Sequence, residues 1–145
     1  MSLFRVALWL TVLSALGVTE AAAECGYVDN PCEVPAHLDR IETITIDQNW
    51  KIDEDDIITR CSERSPLTVG DVRAYLEKAG RISDEAAKKS ITISSCRAHG
   101  TLTTSTGRKG TWNIGLFREG ILSWPDNSSK KDYLYCGHCK APFAE

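Results

Sequence analysis

Thr111-Trp112-Asn113-Ile114-Gly115-Leu116-Phe117, then Arg118-Glu119-Gly120, then Ile121-Leu122-Ser123-Trp124, is the stretch that decides the fold. Trp112, Ile114 and Leu116 recur at every second position, the period of a strand with one buried face. Arg118-Glu119-Gly120 turns the chain into a second short strand. Pro125-Asp126-Asn127-Ser128-Ser129 turns it again, into Tyr133-Leu134-Tyr135-Cys136. Upstream, Ile91-Thr92-Ile93-Ser94-Ser95-Cys96 alternates, His99 to Thr104 resumes the pattern, and Gly107 and Gly110 flank a turn. Strands joined by such short turns predict an antiparallel meander of three or four strands over residues 90–139.

Ahead of the meander the period becomes helical. Val69, Val72, Tyr75, Leu76 and Ala79 form one apolar face. Thr68 is placed to cap that helix, Asp71 stands in the capping-box position, and Leu67 and Val72 fit a hydrophobic staple. Gly80 is the expected left-handed stop. Ser83 begins a second, short helix through Lys88, acidic first and basic last, as the helix dipole favours. Further upstream, Asp53-Glu54-Asp55-Asp56 before Ile57, Ile58 and Cys61 also reads as a helix start. A calcium loop beginning at Asp53 would need Gly and Glu where Ile58 and Arg64 stand. Ile41 to Ile46 is β-branched and predicts a strand, while Pro31 and Pro35 make residues 24–40 a loop region. The expected class is α+β: short helices over residues 53–89 packed on a C-terminal meander and stapled by disulfides.

The first 23 residues read as a cleavable signal peptide. Arg5 supplies the positive start, Val6 to Val18 the apolar stretch, and Ala21-Ala22-Ala23 a cleavage site after Ala23. That stretch falls short of the ~20 residues that cross a bilayer. The remainder, residues 24–145, has the length of one domain. Its expected location is the periplasm or the extracellular space, with no membrane association after cleavage. The formal net charge of −3 and the scattered lysines and arginines argue against a nucleic-acid partner.

All six cysteines, Cys25, Cys32, Cys61, Cys96, Cys136 and Cys139, follow the leader. An even number in a small exported domain reads as a disulfide set. Cys25 with Cys32 would close the N-terminal loop, leaving three arrangements of the other four, and bridges among these would tie helix to sheet. Cys136-Gly137-His138-Cys139 has the letters of a disulfide-isomerase redox site. A His between two cysteines at a helix N-terminus lowers a thiol pKa and makes the disulfide oxidising. Only Lys140 to Glu145 follow it in this sequence, and Pro142 interrupts any helix there, so a thioredoxin domain is not expected. The alternatives are a labile redox pair tuned by His138, or a structural staple. Zinc is a third reading, with Cys96, His99 or His37 completing the C-x2-C pair. No metal or other cofactor is expected otherwise.

No nucleophile elbow, metalloprotease helix, dinucleotide fingerprint or phosphate loop is present, and no catalytic set is legible. The aromatic residues Trp112, Trp124, Tyr133 and Tyr135 are the candidates for a binding surface, since exposed aromatics anchor protein interfaces. The order Val72-Arg73-x-Tyr75, Ser95-Cys96-x-x-x-Gly100-Thr101-Leu102, Gly107-Arg108-x-Gly110-x-Trp112-x-Ile114 and Tyr133-Leu134-Tyr135-Cys136-x-x-Cys139 spans Thr68 to Cys139. It resembles small uncharacterised exported bacterial proteins ending in Tyr-x-Tyr-Cys-x-x-Cys. The resemblance implies a periplasmic location and no particular activity. The function expected is a non-catalytic protein-binding module, inhibitor-like or immunity-like. The alternatives are a thiol–disulfide protein using Cys136 and Cys139, and a zinc-binding protein.

Overall fold

The β-branched run from Ile41 opens a long strand, β1 (Ile41–Ile52). The computed structural model of the chain describes residues 26–30, 32, 38–52, 61–127 and 130–143. After β1 come a single 3-10 turn at Cys61–Glu63, helix α1 (Val69–Lys78), strand β2 (Gly80–Ile82) and helix α2 (Asp84–Lys89). Strands β3 (Cys96–Thr104), β4 (Lys109–Gly115), β5 (Glu119–Ser123) and β6 (Lys131–Tyr135) complete the chain. All six strands join one antiparallel sheet in the order β1-β3-β4-β5-β6-β2.

The meander is therefore present as β3 to β6, but the sheet is larger than expected. β1 adds to the outer edge of β3 and β2 to the outer edge of β6. Three residues, Gly-Arg-Ile, carry no alternation to read, so β2 is invisible to periodicity. The run Ile91 to Ser95, which alternates in sequence, is irregular coil, and β3 begins only at Cys96. The molecule is accordingly more sheet-dominated than a set of helices on a meander. The helix expected from Asp53 lies outside the described residues up to position 60, and the chain continues from Cys61 as one 3-10 turn.

α1 forms where its caps dictate. The Asp71 amide donates to Thr68 Oγ1 (3.1 Å), and Asp71 Oδ2 accepts from the Thr68 amide (2.8 Å). Leu67 and Val72 are both buried, as a staple requires. Val69, expected on the apolar face, lies in the first turn and is exposed. Gly80 is not a left-handed stop: Ala79 is already extended, its amide held by Tyr75 O (2.8 Å), and Gly80 opens β2.

The strand register puts Ile44, Leu102, Trp112, Ile114, Leu122 and Leu134 on one face, and all are buried. α1 covers that face with Val72, Tyr75 and Leu76. Each such side chain contributes about 1.5–3 kcal/mol of transfer free energy. The helix comes close to the sheet at Gly120, where an added Cβ would stand 2.7 Å from the Tyr75 hydroxyl. That hydroxyl donates to Arg118 O (3.0 Å), so even the fully buried phenol is satisfied. Arg73 Nη1 donates to Ile41 O (2.7 Å) and ties α1 to the outermost strand. Trp112 and Trp124, expected as surface aromatics, are core residues at 1% exposure each. Alternation marks which side chains share a face, but the helix that covers the face decides which face is inside.

Disulfides join Cys61 to Cys96 and Cys136 to Cys139. Cys32 is also disulfide-bonded, and the Cys25 half of the expected N-terminal closure lies outside the described residues. The first bridge closes a 35-residue separation and ties the 3-10 turn to β3, beside Leu116. Chain entropy assigns such a closure about 4 kcal/mol. The second is purely local, so only one of these two bridges carries the long-range role expected of both. Stable cystines place the chain in an oxidising, extracytoplasmic type of environment. No helix among the described residues is long and apolar enough to cross a membrane.

Candidate functional site

Among the described residues, the sheet face away from α1 is covered at one end, by α2. A single register row crosses it: His99, Asn113, Ile121, Tyr133 and Ile82, on β3, β4, β5, β6 and β2. α2 sits over the Ile82 end, packing Ala86 and Ala87 into a cluster with Ile82, Ile91, Tyr133 and Tyr135. Ser83 caps α2 by accepting from the Ala86 amide (3.1 Å), and that cap aims the helix at the sheet. At the opposite end His99 is exposed. Tyr133 and Tyr135 are half-buried under α2, so they wall a site and do not stand free as an aromatic surface.

Between these ends the coil Ser90–Ser95 bridges from α2 to β3 and leaves an apolar groove of about 270 Å³. Ile121 and Tyr133 form its floor, Ile82 and Ile91 its inner wall, and Lys88 and Ile93 part of its rim. Ile93 is 65% exposed, unusual for so large an apolar side chain. Here the Ile91 and Ile93 alternation finds its use. It faces no strand partner and lines the groove instead.

The groove ends on a buried ion pair. Arg97 and Glu119 belong to the next register row with Gly115 and Tyr135. Arg97 Nη1 lies 3.0 Å from Glu119 Oε1, with both side chains nearly enclosed. Arg97 Nε donates to Asn113 Oδ1, and the Ser94 amide donates to Glu119 Oε1 (2.7 Å). The same carboxylate thus anchors the coil that forms the rim. Gly115 makes the arrangement possible, because a Cβ there would overlap the Glu119 carboxylate. Glu119 Oε2 is buried and has no hydrogen-bond partner among the described residues. Burial raises the Glu119 pKa above its ordinary value, while the Ser94 and Glu119 amides, Arg97 and the Phe117 amide pull it back. A buried carboxyl of this kind at the end of an apolar groove is a frequent mark of a binding site. Its ion pair and its enclosed second oxygen make it a fixed wall. It is not a free acid or base.

Cys136 and Cys139 close a turn at the end of β6, with the Cys139 amide donating to Cys136 O (3.3 Å). Cys136 is 2% exposed, Cys139 is half-buried and His138 is exposed. The Gly137 carbonyl accepts from Arg118 Nη1 (3.1 Å). No helix begins at this turn, so the thiols lack the dipole that activates them in redox helices. The zinc set does not assemble: Cys96 is bonded to Cys61 and Cys136 to Cys139, and oxidised sulfur supplies no thiolate ligand. His37 lies outside the described residues. Among the described residues no group of three metal-ligating side chains comes together.

The sequence reading missed Arg97, Glu119, Ile93 and Ile121. One signal was available: Gly115 and Gly120 bracket an acid inside an apolar stretch, which marks close packing around that acid. Comparison with protein-family models, with curated proteins and with solved structures gives no match to this chain.

Proposed function

We propose that the protein is an exported, non-catalytic binding module that seats an apolar segment of a partner protein in the groove between the Ser90–Ser95 coil and β5–β6. The observation that carries this reading is Ile93, an isoleucine held 65% exposed over an apolar floor by a coil that Glu119 pins in place. A side chain that only filled a core would be covered; one that meets a partner has reason to stand out. The groove accepts one or two aliphatic side chains, and Lys88 and the sheet beyond Ile121 offer a polar margin. Export by the N-terminal leader and a periplasmic location belong to the same reading, and cystine stapling fits them. The test is an amide NMR titration of the oxidised protein with N-acetyl-Leu-Leu-amide. Saturable shifts confined to Ile91, Ile93, Ile121 and Tyr133, abolished by Ile93→Asp, support the groove. Shifts that are absent, scattered or unchanged by Ile93→Asp overturn it.

A second reading has its own observation. Cys136 and Cys139 are bonded to each other, with half-buried Cys139 next to exposed His138. A thiol–disulfide protein would use this pair, with Cys139 the accessible sulfur. Insulin reduction that disappears in the Cys136→Ser/Cys139→Ser variant would favour it over the binding module. Loss of stability with no redox defect would leave the pair as a staple.

A further inference from the structure

The stretch Ser90-Ile91-Thr92-Ile93-Ser94 reads the same in both directions. Its alternation is that of a strand, yet it belongs to none of the six. Among the described residues, no backbone group of Ile91, Thr92 or Ile93 has a hydrogen-bond partner. The two ends of the stretch are anchored inward. The Ser90 amide donates to Ala86 O (2.9 Å) and the Ser94 amide to Glu119 Oε1 (2.7 Å), while Ser94 O accepts from Arg97 Nη1 (3.3 Å). Alternate residues of an extended run direct their backbone groups to opposite sides. With Ser90 and Ser94 facing the protein, such a run presents the Ile91 and Ile93 amides and carbonyls to a strand from outside.

The two edge strands of the sheet are protected in ways that this stretch is not. Arg73 covers Ile41 O and Glu42 O on β1, whose pairing with β3 carries register shifts, and Cys32 pairs with Arg81 on the outer side of β2. Such devices keep an edge from pairing with another chain. Ser90–Ser94 has no charge and no proline, and its Ile93 is 65% exposed. On a chain of net charge −3, a neutral strand is where two copies meet without repulsion. Lys88 and Lys89 at its head are already paired with Asp84 and Glu85 on α2.

We propose that Ser90–Ser94 pairs antiparallel with the same stretch of a second copy of this chain, across a two-fold axis at Thr92. The palindrome makes the pairing self-complementary, as a two-fold interface requires. Ile91 of each copy lies against Ile93 of the other, and Thr92 lies against Thr92. The isoleucines are then the hydrogen-bonded pairs, exchanging amide and carbonyl, and the two threonines form the closer pair without hydrogen bonds. Each exposed Ile93 is covered by the other copy, beside the Ile91 wall of its groove. This rests on the groove reading and names the apolar segment that the groove meets. Two five-residue strands bury less than the about 1,200 Å² at which standard interfaces begin. The dimer is therefore weak and reversible, with a dissociation constant on the order of 100 μM.

Sedimentation equilibrium of the oxidised protein, with amide NMR on the same dilution series carried above that concentration, tests the pairing. The expected result is a monomer–dimer equilibrium in which the Ile91 and Ile93 amide protons shift most and Thr92 less. Thr92 is exposed, so charged residues are tolerated there. Thr92→Lys and Thr92→Glu each set like charges across the axis and should weaken the dimer about three- to fivefold. Mixed in equal amounts, the two variants set opposite charges together and should associate more tightly than either alone. A protein that stays monomeric, a dimer whose shifts lie elsewhere, or a mixture no tighter than its components overturns the self-pairing. If N-acetyl-Leu-Leu-amide still binds, the groove stands and its partner is a different chain. If neither self-association nor peptide binding is found, both readings fall.

Discussion

Arg97 Nη1 and Glu119 Oε1 lie 3.0 Å apart beneath the groove, and the Ser94 amide completes the same oxygen at 2.7 Å. One carboxylate therefore neutralises a buried guanidinium and fastens the coil that carries Ile91 and Ile93. Removing one partner of such a pair leaves the other charge uncompensated. Glu119→Leu should lower stability by about 3–5 kcal/mol in urea denaturation at neutral pH. The double variant Arg97→Met/Glu119→Leu should recover much of that loss.

The pH dependence of the same carboxyl has a definite sign. Its folded pKa is raised by burial, so the folded state holds its proton more tightly than the unfolded chain. That contribution is fully present below the ordinary glutamate pKa and is lost as pH rises through the raised value. Stability of the natural protein relative to Glu119→Gln should therefore fall as pH is taken upward from the acid side of that range. Urea midpoints measured on both proteins across the range check it, and a rising difference would refute it.

The two bridges should differ in weight. Cys61→Ser/Cys96→Ser opens a 35-residue separation and frees the 3-10 turn from β3, with an expected loss of about 2–5 kcal/mol. Cys136→Ser/Cys139→Ser opens a separation of three and should cost less, because loop-closure entropy grows with loop length. Thermal or urea unfolding of the two variants ranks them directly.

Gly100 holds β1 against β3. A Cβ there would fall 1.9 Å from Thr45 O and 2.7 Å from the Trp112 ring. The oxygen is backbone and the ring is in the core, so neither yields cheaply. Gly100→Ala should cost about 1–3 kcal/mol. Loss of hydrogen-exchange protection should concentrate in β1.

Ile93 offers the converse. Its side chain is mostly in water, so Ile93→Ser should change stability by no more than about 0.5 kcal/mol. Its binding to N-acetyl-Leu-Leu-amide should nonetheless fall below detection. A variant that is equally stable and equally able to bind would separate Ile93 from the groove.

The helix α1 and an antiparallel meander of three or four strands were legible in the amino-acid sequence, because each rests on local rules. Thr68 with Asp71 is a capping box, and Trp112-x-Ile114 is a strand period; neither needs a distant neighbour to be recognised. Cystine use was legible for the same reason, since an even set of cysteines in a small domain reads as a disulfide set from composition alone. Tertiary structure alone decided the rest. Which cysteine meets Cys61, whether Ile91-x-Ile93 pairs as a strand or roofs a groove, and whether Trp112 faces water or α1 are all set by elements far apart in the chain. So is the site itself: Arg97, Glu119 and Ile121 sit in a sequence with no motif among them. A register row and the space left by Gly115 bring them together, and no local pattern encodes a register.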